Sequence, residues 1–440
     1  MPDRHRPPGI SDLPPSETIF AIASGAPPAA IALMRISGDA SGLAVQALCG
    51  TLPPPRRASL RSLRAANGEL LDQAVVLWLP GPGTYTGEDS AELHLHGGRA
   101  VMDAVADALA GLGLRPADPG EFTRRAFLNG RMDLVEAEAV HDLITAEAEA
   151  QRRQALRQLQ GELGALYHGW ADRLRVVLAQ QEALIDFPDE DLPPEVDAAL
   201  TADLLSLCDG IAAHLNDGHR GEKLREGLFF AITGAPNVGK SSLINALSGR
   251  DVAIVSAIPG TTRDALEARV ILGGVPVTLV DTAGLRDTTD PIEAEGVRRA
   301  LARSAEADLV LNLVEAGSDA PPDGPHLLVA TKTDLDTRVP TGAIGISVKT
   351  GEGMDALLAR LSDAARTFAE TSGPPPLTRV RHRTALEDAL RHLLAARDAS
   401  LPELRGEDLR LALRAIGRIT GHVGVEDILD TLFSAFCIGK

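Results

Sequence analysis

The chain has 440 residues, 44% of them hydrophobic and 24% charged, with a formal net charge of −18. That length suits roughly two to four domains, no apolar run nears the ~18 residues of a membrane-spanning helix, and the negative charge argues against gripping nucleic acid over the whole surface. Cys49, Cys208 and Cys437 are its cysteines, so neither a disulfide framework nor a Cys-x-x-Cys metal pair is expected, and a reducing cytoplasm is the expected compartment.

Residues 1–16 are charged and proline-rich without an apolar centre, and read as a disordered leader, not a signal peptide. From 17 to 130, "ETIFAIAS", "AAIALMRISG", "QAVVLWLP" and "SAELHLHGG" are short strands between turn residues, an α+β domain. Period two puts His94 and His96 on one strand face at a metal-like spacing. No third ligand is evident, and a packed or hydrogen-bonded role is expected. Residues 131–221 space their apolar positions at three and four, as long amphipathic helices do, and contain the acid cluster "DFPDED" (Asp186 to Asp191), a cation site or simply a solvated one. The pattern returns in "RTALEDALRHLLAARDASLPELRGEDLRLALRAIGRI". Residues 222–375 therefore read as a domain inserted into one helical domain made of 131–221 and 376–440, with "TSGPPPL" as the second hinge.

Arginine has almost displaced lysine: the lysines are Lys223, Lys240, Lys332, Lys349 and Lys440. Lys240 sits in "FFAITGAPNVGKSSLINALSG", an apolar β-rich run, then Gly234-x-x-x-x-Gly239-Lys240-Ser241, then a helical pattern. This is the Walker A phosphate loop in its strand, loop, helix context. The glycines let backbone N–H groups point inward around a β-phosphate at the positive end of a helix. Asn237, Val238, Gly239, Lys240, Ser241 and Ser242 make the cradle, with Lys240 on the β and γ oxygens and the Ser241 hydroxyl on Mg²⁺. "PGTTRD" offers Thr262 as a second Mg²⁺ ligand. "VTLVDTAG" ends in Asp281 for the Mg²⁺ shell and, past Thr282 and Ala283, a Gly284 N–H for the γ-phosphate. In "LLVATKTDL", after Thr331 and Lys332, the Asp334 carboxylate can accept both guanine N1–H and N2–H₂, a donor pair that adenine lacks. "ISVKT" puts Ser347, Val348 and Lys349 beneath guanine O6. Together these segments indicate GTP, although Thr331 stands where GTPases more often carry asparagine.

Hydrolysis needs more, because Leu285 follows DTAG where Ras-type GTPases place a water-orienting glutamine. On residue type alone, Glu293 reads first as a solvated acid in a helix's opening turn. Asn237 reads either as turn chemistry or as an amide oxygen for a monovalent cation beside the phosphates.

The chain from about 17 to 440 resembles the MnmE (TrmE) family of tRNA uridine-modification GTPases. The likeness rests on "ALMRISG", "PGPGTYTGEDSAELHLHGG", "RPADPGEFTRRAFLNGRMDL", "LIDFPDED", "GAPNVGKSSLINALSG", "GTTRD", "DTAGLRD" and "FCIGK". It implies a multidomain α/β plus α fold: an N-terminal α+β folate-binding and dimerising domain, a discontinuous helical domain and an inserted Ras-like P-loop GTPase domain. It further implies K⁺-dependent hydrolysis, with K⁺ held by Asn237, Thr261 and carbonyls around Ser256 and Ile258, and with Glu293 orienting the water. The implied partners are a second copy of the chain, tRNA, and the FAD-binding MnmG (GidA) in a heterotetramer. The implied cofactor is a 5-formyl or methylene tetrahydrofolate, contacted by Arg35, Glu92, Arg131 and Lys440.

Arg131 stands where the family often has lysine, and Pro27, Pro28, Ala29 and Ala30 replace a usual glycine-rich run. "RVRHR", ending at Arg383, reads as a basic surface patch, a tRNA contact or an ornament. Cys437 lacks the residues a prenylation box needs after it. That leaves a catalytic thiol or a small buried apolar residue beside Lys440, and the second is the expectation. Competing readings are a GTPase switch in assembly without direct tRNA modification, and a folate-dependent one-carbon enzyme with a regulatory GTPase domain.

Overall fold

The computed structural model describes residues 17–186, 194–249, 267–281, 307–318, 326–369, 374–423 and 426–439. The chain divides into two compact units. One comprises Met1–His141, Leu159–Leu207 and Asp388–Lys440, the other Asp142–Gln158 and Cys208–Glu387.

In the first unit the period-two segments pair into a six-stranded sheet of β1 (Ile19–Ile22), β2 (Ala29–Ser37), β3 (Ser59–Arg64), β4 (Leu70–Leu79), β5 (Ser90–Gly97) and β6 (Arg115–Pro116). Their order is β3-β4-β5-β2-β1-β6, antiparallel except for β1 beside β6. Alternation decides the faces. Met34 and Ile36 of β2 and Leu93 and Leu95 of β5 enter a core that also holds Val45 and Leu48 of helix Ser41–Cys49 and Val105 and Leu109 of helix Arg99–Gly111. Burying each such side chain contributes about 1.5–3 kcal/mol, so a one-residue slip in register would lose the whole set. Arg35, Glu92, His94 and His96 are left on the opposite face.

Helix Leu134–Thr145 starts with a reciprocal cap: Glu136 N–H donates to Asp133 Oδ1 at 2.7 Å, and Asp133 N–H donates to a Glu136 carboxylate oxygen at 2.8 Å. Burial, with Glu136 and Glu138 nearby, pushes the Asp133 carboxyl up to about 7. Helix Glu162–Asp186 packs along helix Pro402–Thr420, burying Tyr167 and Leu174 on one and Leu409 and Ile416 on the other. Gln181 Nε2 donates to the Pro402 carbonyl at 3.1 Å, and Arg410 pairs with Glu182 at 3.1 Å. These two helices lie more than two hundred residues apart in sequence, on either side of the segment that forms the second sheet, so the helical domain is discontinuous.

The second unit carries a six-stranded sheet of β7 (Leu228–Gly234), β8 (Glu267–Leu272), β9 (Val275–Asp281), β10 (Leu309–Glu315), β11 (Leu327–Thr331) and β12 (Ile344–Gly345). The order is β12-β11-β10-β7-β9-β8, parallel except for the β8/β9 hairpin. Its central strands are apolar almost throughout because helices cover a parallel sheet on both faces. Phe230, Ile232, Leu243, Val277, Leu311, Val329, Leu357 and Leu361 share one core with helices Lys240–Ser248 and Met354–Ala369. The chain crosses to opposite sides of β7 to reach β9 and β10, and at such a reversal of strand order the carboxyl ends of the strands open a crevice. The phosphate loop follows β7 there.

One expectation needs correction. "RVRHR" is no surface patch: His382 is fully buried and Arg383 is 8% exposed. The Arg383 guanidinium donates to Asp217 Oδ1 at 2.8 Å, to the Glu222 carboxylate at 3.2 Å and to the Leu215 carbonyl at 2.7 Å. Arg379 reaches Asp142 at 2.7 Å, where Arg225 also pairs at 3.1 Å. A buried charge without a partner costs several kcal/mol, so these acids are what allow the arginines inside. Among the described residues one helical stretch, within Ala198–Glu226, meets the length and composition of a membrane span, its most apolar 18 residues having mean hydropathy 1.3. Its buried Leu200, Leu204, Leu207 and Ile211 fall on one stripe, the pattern of an amphipathic core helix.

Candidate functional site

β7 leads into a loop whose backbone is bent by Gly234 (φ 142°), Asn237 (φ 64°) and Gly239 (φ 107°) before helix Lys240–Ser248 begins. A Cβ on Gly234 would lie 2.4 Å from the Leu313 carbonyl oxygen, so only glycine fits. Asparagine tolerates the left-handed region better than most residues, and Asn237 is exposed there. Lys240 is 5% exposed and its Nζ donates to the carbonyls of Gly234 at 3.0 Å and Ala235 at 2.8 Å. An ammonium is thus held inside the loop by weak acceptors that phosphate oxygens can replace. The Ser241 hydroxyl donates to Asp281 Oδ2 at 3.1 Å, which joins the start of the helix to the end of β9. Two hard oxygen donors side by side suit Mg²⁺. Ser242 is exposed next to Ser241, and Val238 is buried under the loop.

At the ends of β11 and β12 the base-recognition segments also meet. Thr331 is 2% exposed, and its hydroxyl lies 2.6 Å from the Val238 carbonyl and 3.2 Å from the Val314 carbonyl. One hydroxyl proton serves one of these at a time, and the shorter contact ties β11 to the phosphate loop. Lys332 has φ 60° and pairs with Glu315. The exposed Asp334 accepts from the buried Ser347 hydroxyl at 2.8 Å, and Ser347 N–H donates to Glu352 O at 3.0 Å. Val348 is half-buried and Lys349 exposed beyond it. A carboxylate fixed at one oxygen and open to solvent can take two N–H groups of a base edge. Ser256, Ile258, Thr261, Thr262, Thr282, Ala283, Gly284, Glu293 and Lys440 lie outside the described residues, as do 1–16 and 187–193.

A second cluster forms in the first unit. Arg35 and Glu92 are direct cross-strand partners of β2 and β5, and the guanidinium donates to Glu92 Oε1 at 3.0 and 3.2 Å. The Arg35 guanidinium carbon lies 5.7 Å from the Tyr85 ring centre and 5.9 Å from that of Phe122. Burial pushes the Tyr85 hydroxyl up, opposed by its hydrogen bond with Thr123 at 2.8 Å. Arg131 is exposed, and its aliphatic carbons would be 3.3 Å from a Cβ on Gly87, in the loop that carries Tyr85. The C-terminal tail packs against the end of β1, where a Cβ on Gly439 (φ 95°) would sit 2.2 Å from the Ile22 carbonyl oxygen. Arg35 and Glu92 thus share one face of the sheet, Arg131 lies beside the loop that carries Tyr85, and Gly439 lies against the backbone of β1.

Comparison with known proteins decides the family. A profile described as "MnmE helical domain" matches residues 134–437, and one described as "GTP-binding protein TrmE N-terminus" matches 18–131. A relative from Gluconacetobacter diazotrophicus named "tRNA modification GTPase MnmE" is 62% identical over 429 residues, covering 96% of this chain and 98% of that protein. The chain belongs to the MnmE family. MnmE proteins of Granulibacter bethesdensis and Rhodospirillum rubrum are 58% and 54% identical, each over 96% of this chain and 99% of the relative.

Where this MnmE-family chain departs from the usual glycine-rich run, Ala29 and Ala30 open β2, and a Cβ on Gly97 would fall 2.2 Å from the Ala29 carbonyl oxygen. Tight backbone approach is kept by glycine on the neighbouring strand. Cys437 is exposed, not buried as expected, while Cys208 is buried. His96 is hydrogen-bonded, its Nδ1 2.7 Å from Asp72 Oδ1, and no group of three metal-binding side chains occurs among the described residues. Reading the sequence missed Tyr85, Phe122 and the environment of His94. The only signal for the first two was the turn-rich "PGPGTYTG" and the "GEF" after it.

Proposed function

We propose that this chain hydrolyses GTP in a potassium-dependent manner. Together with FAD-binding MnmG, it adds an aminomethyl or carboxymethylaminomethyl group to C5 of the wobble uridine of certain tRNAs, using a one-carbon unit carried on tetrahydrofolate. The coarser statement, a GTPase of tRNA modification, follows from membership of the MnmE family. The observation that carries it is the loop holding the Lys240 ammonium, with Ser241 against Asp281 and with Thr331 tying the Asp334 segment to Val238.

Lys240 binds the β and γ phosphate oxygens after giving up its own loop's carbonyls. Ser241 and Asp281, with Thr262, hold Mg²⁺, which when bound neutralises charge on the phosphates. Asp334 selects guanine, with Ser347 and Lys349 beneath the base. Asn237, Thr261, Ser256 and Ile258 are the residues that would hold K⁺, which when bound would supply the positive charge that other GTPases take from an arginine finger. Glu293 orients the attacking water. In the first unit Arg35, Arg131 and Lys440 suit the glutamate carboxylates of a tetrahydrofolate, and Glu92 suits its N–H edge. The protein acts as a cytoplasmic homodimer, in a heterotetramer with MnmG.

Hydrolysis is expected to run at least about tenfold faster in KCl than in NaCl at equal ionic strength, since an arginine finger can contribute about 10³–10⁵-fold. Phosphate release in the two salts measures this, and equal rates would remove potassium from the account while leaving GTP binding in place.

A further inference from the structure

The geometry points to His94 as a positioning residue for Glu92, one that fixes the second oxygen of that carboxylate when a planar N–H edge is bound. This rests on the reading that Arg35 and Glu92 hold a tetrahydrofolate. Period two on β5 puts Glu92, His94 and His96 on the same sheet face. Arg35 engages Glu92 through Oε1 only, at 3.0 and 3.2 Å, and Oε2 faces His94 Nε2 at 3.9 Å. The imidazole is 34% exposed, yet Nε2 is inaccessible to water and has no hydrogen-bond partner. A buried ring nitrogen without a partner is unfavourable, and its nearest charged acceptor is this carboxylate. The neighbouring acid cannot serve, because Asp72 is engaged by the ring and backbone N–H of His96, at 2.7 and 2.9 Å.

Closing the gap takes about 1 Å of side-chain movement to reach an N–H···O distance of roughly 2.9 Å. A ligand that donates two N–H groups to Glu92 has to hold the carboxylate in one plane. Arg35 already holds one oxygen, and an Nε2–H donor that closes onto the other as the ligand binds fixes that plane, so less is left for the ligand itself to order. The ligand class is a planar heterocycle with a donor–donor edge, as in the 2-amino-4-oxo ring of a reduced folate. His94 does not touch the ligand; it acts through Glu92.

The test is calorimetric titration of the full chain with 5-formyltetrahydrofolate, for the wild type, His94→Leu, His94→Gln, Glu92→Gln and the His94→Leu/Glu92→Gln double variant. His94→Leu is expected to weaken binding about tenfold, the scale of a hydrogen bond to a charged group. His94→Gln, whose amide places an N–H near the same point, is expected to recover most of that loss. In the Glu92→Gln background His94→Leu is expected to add nothing. If leucine does not give a folded protein, His94→Phe keeps the ring's bulk without the donor. An unchanged affinity in His94→Leu, or the same loss in both backgrounds, overturns the positioning role while the folate reading stands. Wild-type affinity in Glu92→Gln overturns both.

Discussion

Lys240→Ala is expected to lower GTP turnover by about 10²–10³-fold or more, the scale on which removal of one preorganised charge or donor at a developing anion is felt. The argument is positional. At 5% exposure the ammonium is held between Gly234 and Ala235 carbonyls, so it is already in the loop before nucleotide arrives and no rearrangement is needed to bring it there. Lys240→Arg is not a safe substitute, because a planar guanidinium is broader than an ammonium and the space is set by backbone. The core under the loop, with Val238, Leu243 and Ile244, does not involve the Lys240 head group, so the domain should stay folded. Single-turnover hydrolysis with a melting curve for each variant measures both. Turnover within a few-fold of the wild type would place the phosphates elsewhere.

Asp334→Asn is expected to reverse base preference, weakening GTP at least about a hundredfold and giving measurable xanthosine triphosphate binding. A site built to pair with a polar edge rejects an analogue that leaves its groups unpaired, by about 10⁴-fold in the best cases. Asp334 is exposed, so water softens the penalty, and the lower figure applies. The carboxylate accepts two N–H groups of guanine, whereas an amide offers a donor to the C2 carbonyl of xanthine. The Ser347 hydroxyl can still donate to the remaining side-chain oxygen, as it does to Asp334 at 2.8 Å, so the loop geometry survives. Competition between the two triphosphates on the variant is the measurement, and no gain for the xanthine nucleotide would dissociate Asp334 from base recognition.

The candidate nucleotide site was legible in the sequence because its parts are local. A phosphate loop is a turn between a buried strand and a helix, and residues 234–241 carry the φ > 0 glycines, the lysine and the hydroxyl within one short stretch. Thr331 was legible as a departure, but its contact with Val238 depends on β11 and β7 lying one strand apart, a tertiary fact. The Arg35 cluster is the opposite case. Arg35 and Glu92 stand 57 residues apart, and only the register of β2 against β5 pairs them. Without the family likeness nothing in the spacing pairs them.

Arg383 went wrong for a related reason. Charge in a helical pattern normally marks the solvent side, and the acids that neutralise this arginine, Asp217 and Glu222, are more than a hundred residues earlier in the chain. The exposed Cys437 failed for lack of context. A small apolar-tolerant residue between Phe436, which is buried, and Ile438, which is exposed, has no periodicity strong enough to assign it a side.

The central claim is a GTPase acting in tRNA modification, and mass spectrometry of tRNA nucleosides tests it most directly. A strain lacking this gene is compared with the same strain carrying the wild-type chain or Lys240→Ala. The account predicts that C5-modified wobble uridine is lost on deletion, returns with the wild type and does not return with Lys240→Ala. Unaltered wobble uridine modification in the deletion strain would contradict it.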